Sequence, residues 1–451
     1  MMLFLYAPVV MICACYAAWR LHRTAVSGAA FLAAVMLLNA ITVDPIEIRL
    51  SGFHVYADDL VGIALAAVAM VRFGTNSGAI RRARVWLWFL VAALAAFALG
   101  AAWYGVKAAG VEFRQFFYFV SAIVYTASFP LTSHTMKGLA RVWLTGCGAL
   151  VGLALFRWAA VALQLGIAST WASVGAGQPM RVLNAAHALF LAQGVLILIY
   201  YSRRGSANVR GWDPLRLFLA VLAGSVILLQ HRSVWVALLV SAGALCYRER
   251  MFRLFVAFVL VAGILAGIAI LTQPEGFAIE NAVASSLVAS AQEPFDLDRS
   301  SFGWRLLMWQ QYVLEFLNLP PARKLTGMGF GNPGAYVIGS VESAASAHNI
   351  YVFTLNRAGI LGLATLIVGF AALWRRVRVP LQIRKMAAWT PSNLLFAILA
   401  GQLAYFTVYG PSPEQGLLAG AMTAMPSLWC EIKTTFAEAR VEENAVAAGV
   451  E

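Results

Sequence analysis

The sequence predicts an all-α protein: a polytopic transmembrane helical bundle of about 12–13 spans with a helical cap loop on its external face. Three observations predict it. First, 61% of the 451 residues are apolar and only 12% are charged, whereas a soluble domain carries roughly 25% charge. Second, the apolar residues run in stretches of the length that crosses a bilayer as a helix. Third, the basic residues gather between alternate stretches. So much apolar surface cannot be hidden inside one sphere. An ordinary soluble enzyme, a disordered chain and a disulfide scaffold are excluded. Barrel-type alternation is almost absent, and a bilayer otherwise accepts only helices, which satisfy their own backbone.

Taken in order, the candidate spans lie at about 2–19, 27–43, 56–72, 85–104, 113–131, 141–163, 183–202, 215–231, 233–247, 254–272, 349–373, 391–410 and 417–432. No Lys or Arg precedes the first, which reads as a retained span rather than a cleaved signal peptide. The basic clusters are Arg20/Arg23, Arg81/Arg82/Arg84, Arg203/Arg204/Arg210, Arg248/Arg250/Arg253 and Arg375/Arg376/Arg378/Arg384/Lys385. With these spans all of them fall on one side, the cytoplasm by the positive-inside rule. Asp44, Glu47, Asp58 and Asp59 fall on the other. The net charge of +13 therefore reflects topology and gives no ground for a nucleic-acid partner.

Four regions follow: spans one to ten in 1–272, an external loop at 273–347, the C-terminal spans in 348–432 and a cytoplasmic tail at 433–451. The loop carries an aromatic helical pattern (Phe302, Trp304, Trp309, Tyr312, Phe316), then Pro320-Pro321, then the turn Gly327-Met328-Gly329-Phe330-Gly331. It reads as two or three short helices capping the external face. The five cysteines all sit in apolar stretches, so neither a disulfide framework nor a zinc site is expected.

Three polar features stand at the external surface. Arg232, in Gln230-His231-Arg232-Ser233, runs against the positive-inside bias; its guanidinium fork suits phosphate oxygens, or it snorkels to lipid headgroups. Arg305, in Gly303-Trp304-Arg305, shares a helix face with Trp309; it serves a site or is a solvated surface cation. His348-Asn349 enters a span; the imidazole can take a proton from a hydroxyl near pH 7, or is satisfied by a neighbouring carbonyl. Arg114 and Arg181 line the same cavity or anchor helix ends. Arg157 and Arg357 lie deeper. Arg357 is nine residues past His348, half a turn out of phase on a helix, and is not placed in its site. No Walker lysine motif or HExxH occurs, and Asp296-Leu297-Asp298 alone is a weak metal signal. No metal and no cofactor are expected.

Four segments in order resemble the O-antigen ligase and O-antigen polymerase superfamily of bacterial membrane glycosyltransferases. They are Leu229-Gln230-His231-Arg232-Ser233-Val234-Trp235, Trp304-Arg305-Leu306-Leu307-Met308-Trp309, Leu325-Thr326-Gly327-Met328-Gly329-Phe330-Gly331-Asn332, and His348-Asn349-Ile350-Tyr351 running to Gly359-Ile360-Leu361-Gly362. One departure is visible: many relatives carry an acid two residues before the matched Gly359, and here stands Arg357.

The resemblance implies metal-independent glycan transfer at the periplasmic face of the inner membrane. The donor is a glycan on undecaprenyl diphosphate. The acceptor is a lipid-linked repeat unit for a polymerase of O-antigen or exopolysaccharide, or lipid A-core for a ligase of lipopolysaccharide. By carry-over, Arg232 and Arg305 stabilise the diphosphate and His348 activates or orients the acceptor hydroxyl. Arg114, Arg181, Trp304, Trp309 and Asn349 are the substrate-binding candidates. The 273–347 loop holds seven acids against four bases, net −3, which disfavours an anionic core acceptor and favours the polymerase. A lipid-linked-sugar transporter is the remaining alternative; it would show inverted repeats, and none is visible.

Overall fold

The computed structural model describes residues 18–42, 47–50, 53–163, 165, 182–205, 214–253, 255–257, 259, 260, 301–332, 336–338, 341–343, 348–378 and 391–447. Nearly all of the expected first span and of 254–272 lie outside them, as do Asp296, Asp298 and Arg181. The protein is an all-α helical bundle. In chain order the helices are α1 (Ala25–Ile41), α2 (Ala57–Thr75), α3 (Ser77–Tyr104), α4 (Val106–Ser128), α5 (Ser133–Ala162), α6 (Ala185–Gly205), α7 (Pro214–Leu228) and α8 (Arg232–Arg248). They continue with α9 (Ser301–Leu317), α10 (Pro321–Thr326), α11 (Ile350–Arg376), α12 (Pro391–Tyr405), α13 (Pro413–Thr423) and α14 (Met425–Ala447). Among the described residues, four helices are long and apolar enough to cross a membrane: Ser77–Tyr104, Ser133–Val161, Ala185–Ser202 and Ile350–Arg376.

Two antiparallel hairpins were not anticipated: β1 (Glu47–Leu50) with β2 (Phe53–Tyr56), and β3 (Tyr336–Ile338) with β4 (Val341–Ser343). Strands of three or four residues are too short to establish a period-two pattern. The last expected span also divides, since Ala424 separates α13 from α14, and α14 runs on through residues assigned to a tail.

Helix α4 is the axis of the bundle, and every residue from Tyr118 to Ser128 is buried. Gly416 and Gly420, one turn apart on α13, let that helix approach α4 closely. A methyl group on Gly420 would lie 2.6 Å from Thr126 Cβ and 2.7 Å from the Ile123 carbonyl. Small residues at this spacing are how helices pack in a bilayer, where apolar burial by itself gives no preference for protein over lipid.

The two ends of the bundle differ chemically. At one end arginines seal helix termini. Arg82 donates to the carbonyls of Ala127 (2.9 Å) and Ser128 (2.7 Å), and Arg376 donates to those of Arg82 (2.9 Å) and Thr423 (2.7 Å). Arg248 reaches Asn393 Oδ1 at the same end. At the opposite end lie Asp58, Asp59, Glu112, His348 and Tyr409.

Candidate functional site

Helix α9 buries Met308, Tyr312 and Phe316, a stripe at i, i+4, i+8. That stripe fixes its roll and leaves Trp304 and Arg305 half-buried near its start. Helix α11 begins just after His348. Asn349 is its N-cap, with Oδ1 accepting from the amides of Tyr351 (3.0 Å) and Val352 (3.1 Å). Ile350 N–H donates to the Phe406 carbonyl at 3.1 Å, which docks the start of α11 on the turn after α12. That turn ends at Tyr409.

Tyr409 joins the two sequence candidates. The Arg305 guanidinium lies 4.9 Å over its ring, and Arg305 Nη2 donates to its hydroxyl at 3.4 Å. The His348 ring meets Tyr409 edge-on at 6.2 Å and lies 6.3 Å from the Trp304 ring. Tyr405 stacks on Tyr409 at 4.8 Å, and Glu414 is buried at the start of α13. His348 holds a left-handed backbone, φ 46°, which costs a non-glycine residue free energy and occurs preferentially at functional positions. Burial first, and the Arg305 charge second, push its pKa below the ordinary histidine value of 6.5.

Arg232 opens α8, which packs antiparallel to α12. Arg248 meets Asn393 at one end, and Gly401 lies against Ala237 and Ser241 midway. Arg232 therefore lies at the end of α8 nearer the C-terminal end of α12, after which the Tyr409 turn follows. The preceding turn is fixed by Gln230 at φ 55° and by His231 Nε2, which donates to the Leu183 carbonyl at 2.8 Å.

Other sequence candidates are engaged elsewhere. Arg114 faces α2: it lies 3.7 Å from Asp59, donates to the His54 carbonyl at 3.2 Å and sits 4.6 Å over the Tyr56 ring. The Asn349 carboxamide oxygen is spent on its helix cap. Trp309 is half-buried against the core. Arg157 holds the carbonyls of Val182 (2.7 Å) and Ala40. Arg357 is buried in α11. It contacts Glu112, with Nε 2.8 Å from Oε2 and Nη2 donating to Oε1 at 2.9 Å.

The glycine turn is a wedge rather than a surface cap. Gly327, Gly329 and Gly331 take φ of 79°, 79° and 88°. Helix α11 kinks at Gly359, φ 67°. The kink releases the carbonyls of Asn356 and Arg357, which accept from Met328 N–H (2.9 Å) and Gly329 N–H (3.0 Å). Phe330 N–H reaches the Ala96 carbonyl at 3.3 Å, and Gly331 N–H donates to Glu112 Oε2 at 2.8 Å. These amides are used up within the protein, so the turn is not an anion cradle. Sequence reading passed over Tyr409 and Glu112. Tyr405 and Tyr409 at i, i+4 beside Gly410-Pro411 were the available signal, but tyrosines at a span end read equally as an interfacial belt.

Residues 217–367, which include Arg232, Arg305, the glycine wedge and His348, match the family model Wzy_C, O-antigen ligase. Over that segment, about a third of the chain, the sequence is similar to the O-antigen ligase family. The protein is thus a multi-pass membrane protein that carries an O-antigen-ligase-like segment. A comparison with curated proteins found no significant match. Among the described residues no group of three or more His, Cys, Asp or Glu is arranged to hold a metal ion.

Proposed function

We propose that this protein transfers a glycan from undecaprenyl diphosphate to an acceptor sugar hydroxyl at the periplasmic face of the bacterial inner membrane. The supporting observation is the junction of Arg305 and His348 through Tyr409, at the end of the bundle opposite the arginine-sealed one. The acceptor oxygen bonds to the anomeric carbon as the bond from that carbon to the diphosphate oxygen breaks. Negative charge grows on the leaving diphosphate, and guanidinium groups stabilise it: Arg305, together with Arg232. His348, held neutral by burial and by Arg305, accepts the hydroxyl proton. Trp304 and Trp309 offer flat apolar faces to sugar rings.

The acidic balance of 273–347 supports a lipid-linked repeat unit as acceptor, hence a polymerase. The family description, O-antigen ligase, favours the second reading, transfer to lipid A-core. Purified protein in liposomes with lipid-linked repeat unit alone separates them. Chain growth with release of undecaprenyl diphosphate supports the polymerase. Transfer only after lipid A-core is added supports the ligase. Movement of the lipid-linked sugar across the bilayer with no diphosphate released would sink both in favour of a transporter.

A further inference from the structure

We infer that Glu112 and Arg357 form a positioning clamp that holds the Arg305 helix, the glycine wedge and the His348 helix in the register that transfer requires. The inference rests on the proposed function. Arg357 is 1% exposed along its side chain, and Glu112 is its counter-ion across 245 residues of sequence. The carboxylate receives three contacts: Arg357 Nε, Arg357 Nη2 and the Gly331 amide. Arg357 Nη1 donates to Asn356 Oδ1 at 3.0 Å. Asn356 Nδ2 in turn donates to Glu315 Oε2 at 3.0 Å and to the Tyr312 carbonyl at 3.2 Å. Asn332 Nδ2 closes the set on Glu315 Oε1 at 3.2 Å.

The chain of contacts thus runs from α4, through the kink of α11, to α9 and back to the wedge. Glu315 and Arg305 share α9, and Arg357 and His348 belong to one continuous stretch of backbone. Tyr409, by contrast, touches the two halves of the site only at their tips. An ion pair whose guanidinium is buried is a poor source of net stability but can specify geometry, because an arrangement that separates the charges strands the buried one. Loss of the pair would let α9 and α11 shift, and misplacement by about 1 Å can cost on the order of 10²-fold in rate.

The test uses Glu112→Gln, Arg357→Gln and the double variant in the full-length protein, checked for folding by thermal unfolding in detergent. Each single variant should lower kcat by on the order of 10–10²-fold with donor KM little changed. The double variant, which strands no charge, should recover part of that loss rather than multiply it. In the single variants the acid limb of the rate profile should also rise toward the ordinary histidine value. The charged and titratable groups of this cluster are Arg305, Tyr409, Tyr405 and Glu414, and only Arg305 depends on α9 for its place. Folded single variants with parental kcat and parental pH profile would overturn the clamp, as would losses that simply multiply in the double. If the parent transfers no glycan, the functional reading fails instead. The clamp is then read from spin labels at the exposed positions Leu307 and Ile360: Arg357→Gln should broaden their distance distribution, and an unchanged distribution overturns the clamp.

Discussion

His348 illustrates how one residue's surroundings set its chemistry. Its task as a base requires the neutral imidazole, and both burial and Arg305 disfavour the charged form. A lowered pKa keeps the neutral form dominant to lower pH, so transfer should fall off only below pH ~6.5. In Arg305→Gln the Coulombic part of that shift is gone, and the acid limb of kcat should move upward; a limb that stays put would separate Arg305 from His348. His348→Ala should reduce kcat by about 10²–10⁴-fold, and a His348→Gln variant at parental rate would leave the residue only an orienting role. Tyr409→Phe keeps the ring beneath Arg305 but removes the hydroxyl that accepts from it. Its cost should be about tenfold or less in kcat/KM, one modest hydrogen bond, and Tyr409→Ala should cost clearly more. Arg305→Lys should also be damaging, since a point charge lacks the planar fork.

At the scale of an element, the glycine wedge shows a motif doing something other than its composition suggests. Three glycines around one phenylalanine read as an exposed turn. In the fold Phe330 is buried against Phe113, Phe116 and Phe353, with ring centroids 5.6–6.2 Å apart. The glycines are needed because backbone passes against backbone: a methyl group on Gly329 would lie 2.6 Å from the Gly100 amide nitrogen, at φ 79°. Gly329→Ala should therefore cost about 1–3 kcal/mol from the backbone strain alone, and more from the clash. Gly100→Ala presses on the same contact from α3, 2.5 Å from the Phe330 amide nitrogen. Thermal unfolding in detergent checks both. A Gly329→Ala protein as stable as the parent would mean that the wedge is not packed between α3 and α11 as described. The element itself was legible as glycine-rich; its insertion was not, because nothing local to residues 327–331 encodes the partner carbonyls on α11 and α3.

For the whole molecule, the two ends are distinguishable by experiment. Gln115 is exposed beside Gly410 at the His348 end, and Lys137 is exposed near the start of α5 at the arginine-sealed end. In a cysteine-free background, a cysteine at 115 should react with a membrane-impermeant maleimide applied to spheroplasts. One at 137 should react only after permeabilisation. The reverse pattern would place the site in the cytoplasm and end the periplasmic assignment. Activity should also survive chelation, because arginines are on hand to neutralise the leaving diphosphate; loss in EDTA with recovery on Mg²⁺ would point to Asp296 and Asp298.

Hydropathy and charge are summed along the chain, and what they encode was readable in order: helices, their approximate ends, the sorting of arginines to one end, and the segments carrying Arg232, Arg305 and His348. A greasy run seeks lipid whatever its neighbours are, so its character needs no knowledge of contacts. The meeting of Arg305 with Tyr409 across 104 residues, and of Arg357 with Glu112 across 245, was decided only by tertiary structure. Those pairings depend on which helix faces pack together. In this bundle the choice is set by close approaches at glycines, and by the high cost of leaving a buried charge or a kinked helix's carbonyls without partners.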